Sequence, residues 1–335
     1  MQRALISILI PFKNTERFLE ECLRSIQKQS YTNWELHIVD DHSSDRSTEI
    51  VESYANNDAR IHLHFNSGNG IIEALKTAYK HAKGTFITRM DSDDIMTTNK
   101  LEQMQQNLQI YGVGHLALGQ VKYFSKTGIG AGYKRYETWL NTLTANGSNF
   151  EEIYKECVIP SPCWMVYKTD FESCGGFNSD IYPEDYDLAF RFYKHGLKCI
   201  PSNDVLHYWR DYAVRTSRVD AHYAENSFLD LKVNYFLELS RVNAQQLILW
   251  GAGAKGKKVA QLLLERKIAF EWVCDNPKKI GKAIYGQVLK SFNYLDTLHN
   301  FQSIISVANP EAQVEIEAYF KSREMAAMHD YFFYC

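Results

Sequence analysis

The sequence predicts an α/β protein: a mostly parallel sheet with helices on both faces, followed by a smaller α/β domain. Three observations carry this. Apolar runs of strand length alternate with segments of helical period from Leu5 to Met90. Acidic and polar residues gather at the carboxyl ends of those runs, where open parallel sheets bind ligands. Beyond Gln245 another apolar run leads into G-x-G-x-x-G and a further helical period. The length of 335 residues agrees, being a prior for two domains rather than one.

Taken in order, Leu5–Ile10 is an apolar run closed by Pro11 and predicts the first strand. The apolar stretch Ala4–Ile10 has no small-residue cleavage site after it, so it does not read as a signal peptide. Phe18, Leu19, Cys22, Leu23 and Ile26 recur at helical spacing. Trp34–Val39 predicts a strand ending at Asp40–Asp41, and Ser47–Tyr54 a helix. Ile61, Leu63 and Phe65 alternate with His62 and His64, as in a half-buried strand with its histidines on the polar side. Ile71–Ala82 predicts a helix closed by Gly84, and Thr85–Met90 a fourth strand running into Asp91-Ser92-Asp93-Asp94. Strands joined by helices in this way lie parallel. The turns Pro11–Asn14, Asp40–Asp41 and Asp91–Asp94 therefore fall on one edge of the sheet.

Further along, "CGGFNSDIYPEDYDLAFRFYKHG" has a turn at Gly175–Gly176. Glu184, Asp185 and Asp187 then open a helix with Leu188, Ala189, Phe192 and Tyr193 inward. Tyr223–Leu239 predicts a connecting helix, which sets the first domain at 1–222, a linker at 223–244 and the second domain at 245–335. There, "LILWGAGAKGKKVAQLLLERK" is a strand, a turn with Gly251, Gly253 and Gly256, and an amphipathic helix. "FEWVCD" is the next strand, and its Asp275 falls about twenty residues past the glycines, as the dinucleotide fingerprint of a Rossmann-like fold expects. Ser303–Ala308 predicts a third strand, Glu311–Lys321 a helix and Tyr331–Tyr334 a last strand.

Composition narrows the function. A net charge of −3 offers no basic surface for nucleic acid. No apolar run reaches the ~18–20 residues of a membrane span. The cysteines at 22, 157, 163, 174, 199, 274 and 335 are scattered and form no C-x-x-C, which points to reduced thiols in a cytosolic protein and away from a cysteine zinc site.

The chemistry lies in the carboxylates. Side chains two apart on an extended segment point the same way, so Asp91 and Asp93 can face one hard divalent cation. Without a cation their crowding is unfavourable. The competing reading is an acidic turn before a helix capped by Asn99 and Glu102. Asp40–Asp41 at the neighbouring strand end favours the site. Asp185 reads as a helix cap or as a base, its charge held by the positive end of the helix dipole. His62 and His64 read as the polar side of a strand, and His207 as structural. Tyr133, Tyr136 and Trp139 read as aromatic core rather than an acceptor platform. In the second domain the helix start after the glycine turn can take a phosphate, with Lys255, Lys257 and Lys258 adding charge and Asp275 placed for a ribose hydroxyl of an NAD-like ligand.

"SILIPFKNTERFLEECLRSIQKQSYTNWELHIVDDHSSDRSTEIV", "GTFITRMDSDD" and "GGFNSDIYPEDYDLAFRFYKHG" resemble family 2 glycosyltransferases of the GT-A fold, over Leu5 to Arg218. The resemblance implies an inverting transfer, dependent on Mn²⁺ or Mg²⁺, of one sugar from a nucleotide-diphosphate sugar, a UDP-sugar above all. The acceptor it implies is a hydroxyl of a glycan or lipid-linked molecule in bacterial surface polysaccharide synthesis. It implies a cytoplasmic location, with peripheral contact at the inner membrane face. Position by position, Pro11 and Phe12 match the nucleotide-contacting turn, and Asp41 the carboxylate that pairs with the base. Arg89 precedes the D-x-D as in many members. Asp93 matches the metal ligand, Asp91 the sugar or ribose side, and Asp185 the catalytic base, with Glu184 and Arg210 supporting. Two positions depart from the pattern: Thr98 stands for a common proline, and Tyr212, in "WRDYAVRTSR", for a histidine of the segment that closes over the diphosphate. The Q-x-x-R-W motif of processive synthases is absent. Trp250–Gly256 and Asp275–Gly281 resemble the Rossmann-like domains attached to bacterial sugar-modifying enzymes, a resemblance that leaves open NAD, a nucleotide sugar or no ligand at all. Two rivals stand beside this reading. A sugar nucleotidyltransferase would open with G-x-G-T-R, where this chain has Pro11–Asn14. An oxidoreductase or nucleotide sensor would be run by the second domain.

Overall fold

The computed structural model describes residues 4–213, 215 and 228–335. The chain splits into two compact units, Met1–Phe150 with Val158–Arg215, and Glu151–Cys157 with Thr216–Cys335.

In the first unit the strands β1 (Ile6–Phe12), β2 (Trp34–Asp40), β3 (Ile61–Phe65), β4 (Phe86–Arg89), β6 (His115–Leu118), β8 (Trp164–Tyr167) and β9 (Lys198–Ile200) form one sheet, in the order β3-β2-β1-β4-β8-β6-β9. Only β8 runs against its neighbours. Every residue of β1 and β2 is buried, because helices cover both faces. On one face Ile6, Ile8, Ile10 and Phe12 pack with Leu19, Cys22, Leu23 and Ile26 of α1 (Glu16–Gln27). Each such Leu or Ile contributes roughly 1.5–3 kcal/mol by leaving water. The other face carries Ser7, Glu35 and His37 and lies under α3 (Ile71–His81). Lys83 N donates to Glu35 Oε1 at 2.6 Å and Gly84 N to Ser7 Oγ at 2.8 Å.

The first strand continues through Pro11 instead of stopping there, pairing Pro11 with Val39 and Phe12 with Asp40. The reason is parity. Leu9 O accepts from Met90 N on the β4 side, and Pro11 faces the same way. Pairing with β4 ends at Leu9–Arg89, so the missing N–H of Pro11 falls where no partner strand remains. Phe65 also departs from the alternation: it is 61% exposed, because β3 is the outer strand and Phe65 its last residue.

A smaller sheet, β5 (Ile95–Met96), β10 (Val205–Arg210) and β7 (Gln120–Phe124), ties the acidic turn to the end of this unit. β10 runs antiparallel to β5, pairing His207 with Met96. Asn99 precedes α4 (Lys100–Tyr111) but does not cap it. Its side chain bonds Thr97 and Gln103, while Glu102 accepts from Ser30. The capping alternative for the acidic stretch therefore has no hydrogen bonds behind it.

The second unit holds a six-stranded sheet: β11 (Gln246–Trp250), β12 (Glu271–Cys274), β13 (Ala283–Ile284), β14 (Gln287–Ser291), β15 (Phe301–Ile305) and β16 (Tyr331–Phe333), ordered β13-β14-β12-β11-β15-β16. All neighbours are parallel except β13 with β14. That hairpin has no counterpart in the apolar pattern, since β14 buries Leu289 alone. Helices Ala254–Glu265 and Pro310–Ser322 follow β11 and β15. Of the connecting helix expected over Tyr223–Leu239, Leu229–Leu239 is helical and part of the second unit, and residues 223–227 lie outside the described residues. No helix among the described residues is long and apolar enough to cross a membrane. All seven cysteines are free.

Candidate active site

The first two strand-end turns are knitted together. Asn14 Oδ1 accepts from Ser44 N at 2.8 Å, and Asn14 N donates to Ser43 Oγ at 3.1 Å. Asp40 and Asp41 divide the work between them. Asp40 accepts from Ser43 N and Thr48 Oγ1 and so fastens the start of α2 (Ser47–Asn57). Asp41 is buried and faces the turn after β3. Its Oδ1 accepts from Asn66 Nδ2 at 2.7 Å and from Gly70 N at 2.9 Å, and Lys13 Nζ lies 3.6 Å from Oδ2. Phe12 turns its side chain into the core, and its carbonyl takes the N–H of Asp41. Phe12, in the turn expected to contact a nucleotide, is 2% exposed.

Arg89 joins the D-x-D to the later helix. It is buried at the end of β4, with one guanidinium nitrogen 3.2 Å from Asp91 Oδ1 and another 2.8 Å from Glu184 Oε1. Arg89 thus reaches a carboxylate 95 residues away in sequence, and Asp185 is the next residue along α7 (Glu184–Lys194). Asp185 Oδ1 accepts from Tyr186 N at 2.8 Å. Burial, then the charge of Glu184, pushes the Asp185 carboxyl up, with Arg89 opposing. The helix dipole therefore does not dominate here, as the sequence predicts it should. Desolvation outweighs a first-turn effect of about 1 kcal/mol.

Asp93 is partly buried. Desolvation and the neighbouring Asp94 and Asp91 push its carboxyl up to about 7, against the pull of Arg215 and the Tyr212 phenol, which hydrogen-bonds it. Asp94 points inward. It accepts from His207 Nε2 at 2.9 Å and from Arg210 N at 2.7 Å, and burial pushes its carboxyl up. Behind His207, Lys100 Nζ stands 3.3 Å from Nδ1 and donates to Pro162 O at 2.6 Å. Arg210 Nε donates to Asp93 O at 2.6 Å, its outer nitrogen reaches Glu21, and its guanidinium lies over Phe18 and Phe124. Arg210 therefore steadies the backbone of Asp93.

Sequence reasoning missed several of these groups. Asn66, Lys100 and Arg215 are each drawn to the acidic edge from outside its turns. The signal for Arg215 was a lone cation six residues beyond Trp209. It lies over that ring at 5.0 Å, among Tyr123 and the three aspartates, which hold it charged despite burial. Tyr212, at the place of the family histidine, bonds Asp93 through its hydroxyl. No three His, Cys, Asp or Glu side chains among the described residues stand in metal-holding geometry. The donor set still suits a hard cation. Asp91 and Asp93 offer carboxylate oxygens at a strand end, and the raised proton affinity of Asp93 is what crowded carboxylates show before positive charge joins them.

In the second unit the glycine turn starts the helix Ala254–Glu265. A Cβ on Gly256 would meet Gly251 O at 2.1 Å, so close packing of the turn accounts for that glycine, while Gly253 faces open space. Asp275 lies 3.5 Å from Trp250 Nε1.

Residues 7–175 match the family model described as Glycosyl transferase family 2. The glycosyltransferase GlyG of Streptococcus pneumoniae is 41% identical over 106 residues, 31% of this chain and 35% of that protein. The UDP-Glc:alpha-D-GlcNAc-diphosphoundecaprenol beta-1,3-glucosyltransferase WfgD of Escherichia coli is 43% identical over 103 residues, 30% of this chain and 40% of that protein. The chain spans between 30% and 48% of the length of such curated relatives. Among solved structures, S. aureus TarS 1-349 in complex with UDP-GlcNAc superposes with a TM-score of 0.53 at 20% identity, over 77% of this chain and 71% of that one. The mannosyltransferase PcManGT from Pyrobaculum calidifontis, in complex with GDP-Man and Mn2+, gives 0.51 at 20% identity, over 78% and 69%.

Proposed function

We propose, for a chain that belongs to glycosyl transferase family 2, that its first unit moves one sugar from a nucleoside diphosphate sugar, UDP being the leaving group, to an acceptor hydroxyl with inversion. The observation that carries the proposal is the Arg89 bridge, which puts the D-x-D and the start of α7 into one ion-pair network. In this reading Asp41, fixed by Asn66 and Gly70, accepts from an N–H of the base, and Lys13 stands beside it. Pro11 and Phe12, the last two residues of β1, lie beneath the nucleotide.

Asp93, with Asp91, would hold a divalent cation; when bound, that cation neutralises the charge of the departing diphosphate. Tyr212 and Arg210 keep Asp93 in place, and Arg215 adds positive charge on the leaving-group side. Asp185 takes the proton of the acceptor hydroxyl as that oxygen attacks the anomeric carbon, opposite the bond that breaks. A base of this kind is worth roughly 10²–10⁴-fold, and burial that raises its proton affinity brings it toward the working pH. Glu184 and Arg89 hold it at the site.

The acceptor class we assign is a glycan or lipid-linked hydroxyl in surface polysaccharide assembly at the cytoplasmic side of the membrane, in line with the diphosphoundecaprenol acceptor in the name of WfgD. In the second unit Gly253 is the open face of the glycine turn, and we place there a phosphate-bearing ligand, NAD or a nucleotide sugar. A panel of UDP-, GDP- and other nucleotide sugars, assayed for nucleoside diphosphate release with Mn²⁺ or Mg²⁺ and with chelator, tests both parts. Turnover of one UDP-sugar that stops with chelator is the expected result. If no sugar nucleotide is bound or turned over, the transferase reading is wrong. Calorimetry of the same panel and NAD on Gly253→Val isolates the second site.

A further inference from the structure

The edge of the second unit's sheet presents a surface that the transferase reading does not use. β13 and β14 form a hairpin, pairing Ala283 with Val288 and Ile284 with Gln287. Two residues remain for the turn, Tyr285 and Gly286, at φ of 52° and 78°. Positive φ at both is the requirement of a type I′ turn, which ordinarily places Asn, Asp or Gly first. A tyrosine there is conformationally unfavourable, and it is 47% exposed at the tip. Val288 on the returning strand is 53% exposed and Ile280 on the stem is 38% exposed.

Charge accompanies these apolar groups. Residues 276–291 contain four lysines and no acid. Lys290 is paired with Glu271, and Lys279 Nζ donates to Ala252 O at 2.7 Å. The contact of Lys279 sets the stem beside the start of the helix Ala254–Glu265, where Lys257 and Lys258 are exposed, as are Lys278 and Lys282 on the hairpin itself. Asp275 is the acid at its base. An aromatic tip and branched aliphatics ringed by lysines match the boundary between acyl chains and anionic headgroups. They match a nucleic acid poorly. Stacking needs an open aromatic face, and Tyr285 lies near-parallel to Trp272 with ring centroids 6.5 Å apart.

We propose that this hairpin docks the second unit on an anionic phospholipid surface, Tyr285 and Ile280 entering the headgroup region and Lys278 and Lys282 facing the lipid phosphates. The proposal stands apart from the transferase reading, and its test uses neither donor nor acceptor. The full chain is centrifuged with vesicles of phosphatidylglycerol and phosphatidylcholine, and with phosphatidylcholine alone. Binding is expected to the anionic vesicles only and to weaken with salt. Each lysine near such a surface is worth about fivefold in affinity, so Lys278→Glu with Lys282→Glu should lower binding more than tenfold. Tyr285→Asn creates Asn-Gly, the favoured type I′ pair, so the turn persists while the apolar tip is lost. That variant should keep its thermal midpoint and bind at least threefold more weakly. Failure of the unaltered chain to bind anionic vesicles overturns the proposal. Equal binding by all variants overturns it too, as does binding to RNA or heparin in place of vesicles.

Discussion

Asp93 and Asp185 are both partly buried carboxyls whose proton affinity the fold raises, and the proposed reaction asks different things of them. Asp93 must carry charge when a diphosphate departs, so its loss should remove both binding and chemistry. Asp93→Ala is expected to abolish turnover and to weaken metal-dependent binding of UDP while the fold survives; full activity, or activity equal in excess chelator, would sink the assignment. Asp185 must accept a proton and nothing more. Asp185→Asn keeps the shape and the Tyr186 contact but cannot take the proton, so donor affinity should stay within a fewfold while turnover drops by roughly 10²–10⁴. Titration and single-turnover rates on the same variant separate the two quantities, and normal turnover with failed binding would make Asp185 a structural cap. These residues are legible in sequence because strand alternation and strand-end turns are local rules. Their partners are not. The contacts of Asp93 with Tyr212 and of Asp94 with His207 span more than a hundred positions, and no periodicity encodes a pair so far apart.

At the scale of elements, four imidazoles join α3 to the edge of the sheet. His37 Nδ1 lies 3.0 Å from His64 Nε2, His62 stacks on His37 at 5.1 Å, and His81 from the last turn of α3 stacks on His64 at 4.1 Å. The sequence places His62 and His64 on the polar side of a strand, and β3 explains why: its outward residues meet other polar groups instead of water alone. Burial, then repulsion from His81, His37 and His62, lowers His64 to about 4. Burial also leads the lowering of His62, where Glu35 opposes and Lys83 reinforces it. Glu35 is lowered to about 2: bonds from His37, Ser7 and Lys83 N outweigh its burial. The unfolded chain therefore binds more protons at His64 between pH 6.5 and 4. Stability from the stack is complete above pH 6.5 and is lost as pH falls toward 4. The share of Glu35 goes next, between about pH 4.3 and 2. Since the His64 ring is half-exposed, about 1–2 kcal/mol is a fair discount from its full shift. His64→Gln should flatten the fall in thermal midpoint between pH 7 and 4.5, and an unchanged slope would show that the stack does not govern it. Other elements were not legible. The β13–β14 hairpin buries Leu289 alone, with Gln287 and Ser291 at the other positions on that face of β14, and a short strand with one buried apolar residue gives no period to detect.

At the scale of the molecule, sequence order and spatial unit part company. Reading along the chain puts the second domain at 245–335, because that is where the glycine turn and its strands lie. The core of the second unit starts earlier. Tyr154, from the segment Glu151–Cys157, is 1% exposed. It stacks on Tyr334 at 5.7 Å, meets Phe332 and Phe236 edge-on, and its hydroxyl lies 2.8 Å from Ser240 Oγ. Lys232, in the helix Leu229–Leu239, donates to Lys155 O at 2.8 Å, and Tyr334 OH donates to Lys232 O at 3.3 Å. A fragment cut at residue 245 keeps Phe332 and Tyr334 but loses Tyr154 and Phe236, which pack on them. Each buried aromatic presents roughly 150–250 Å², worth about 4–6 kcal/mol if fully uncovered. Marginal domains hold only about 5–15 kcal/mol in total. The 245–335 fragment is therefore expected to aggregate or to unfold without cooperativity, however regular its strands. In the full chain Tyr154→Ala should cost about 3–5 kcal/mol, read as a lower urea midpoint of the second transition. Cooperative unfolding and native near-ultraviolet dichroism from the 245–335 fragment would show that its sheet is sufficient alone. Loss of both would mean that ligand binding at Gly253 has to be measured on the full chain, where Tyr154 and the helix Leu229–Leu239 complete the core.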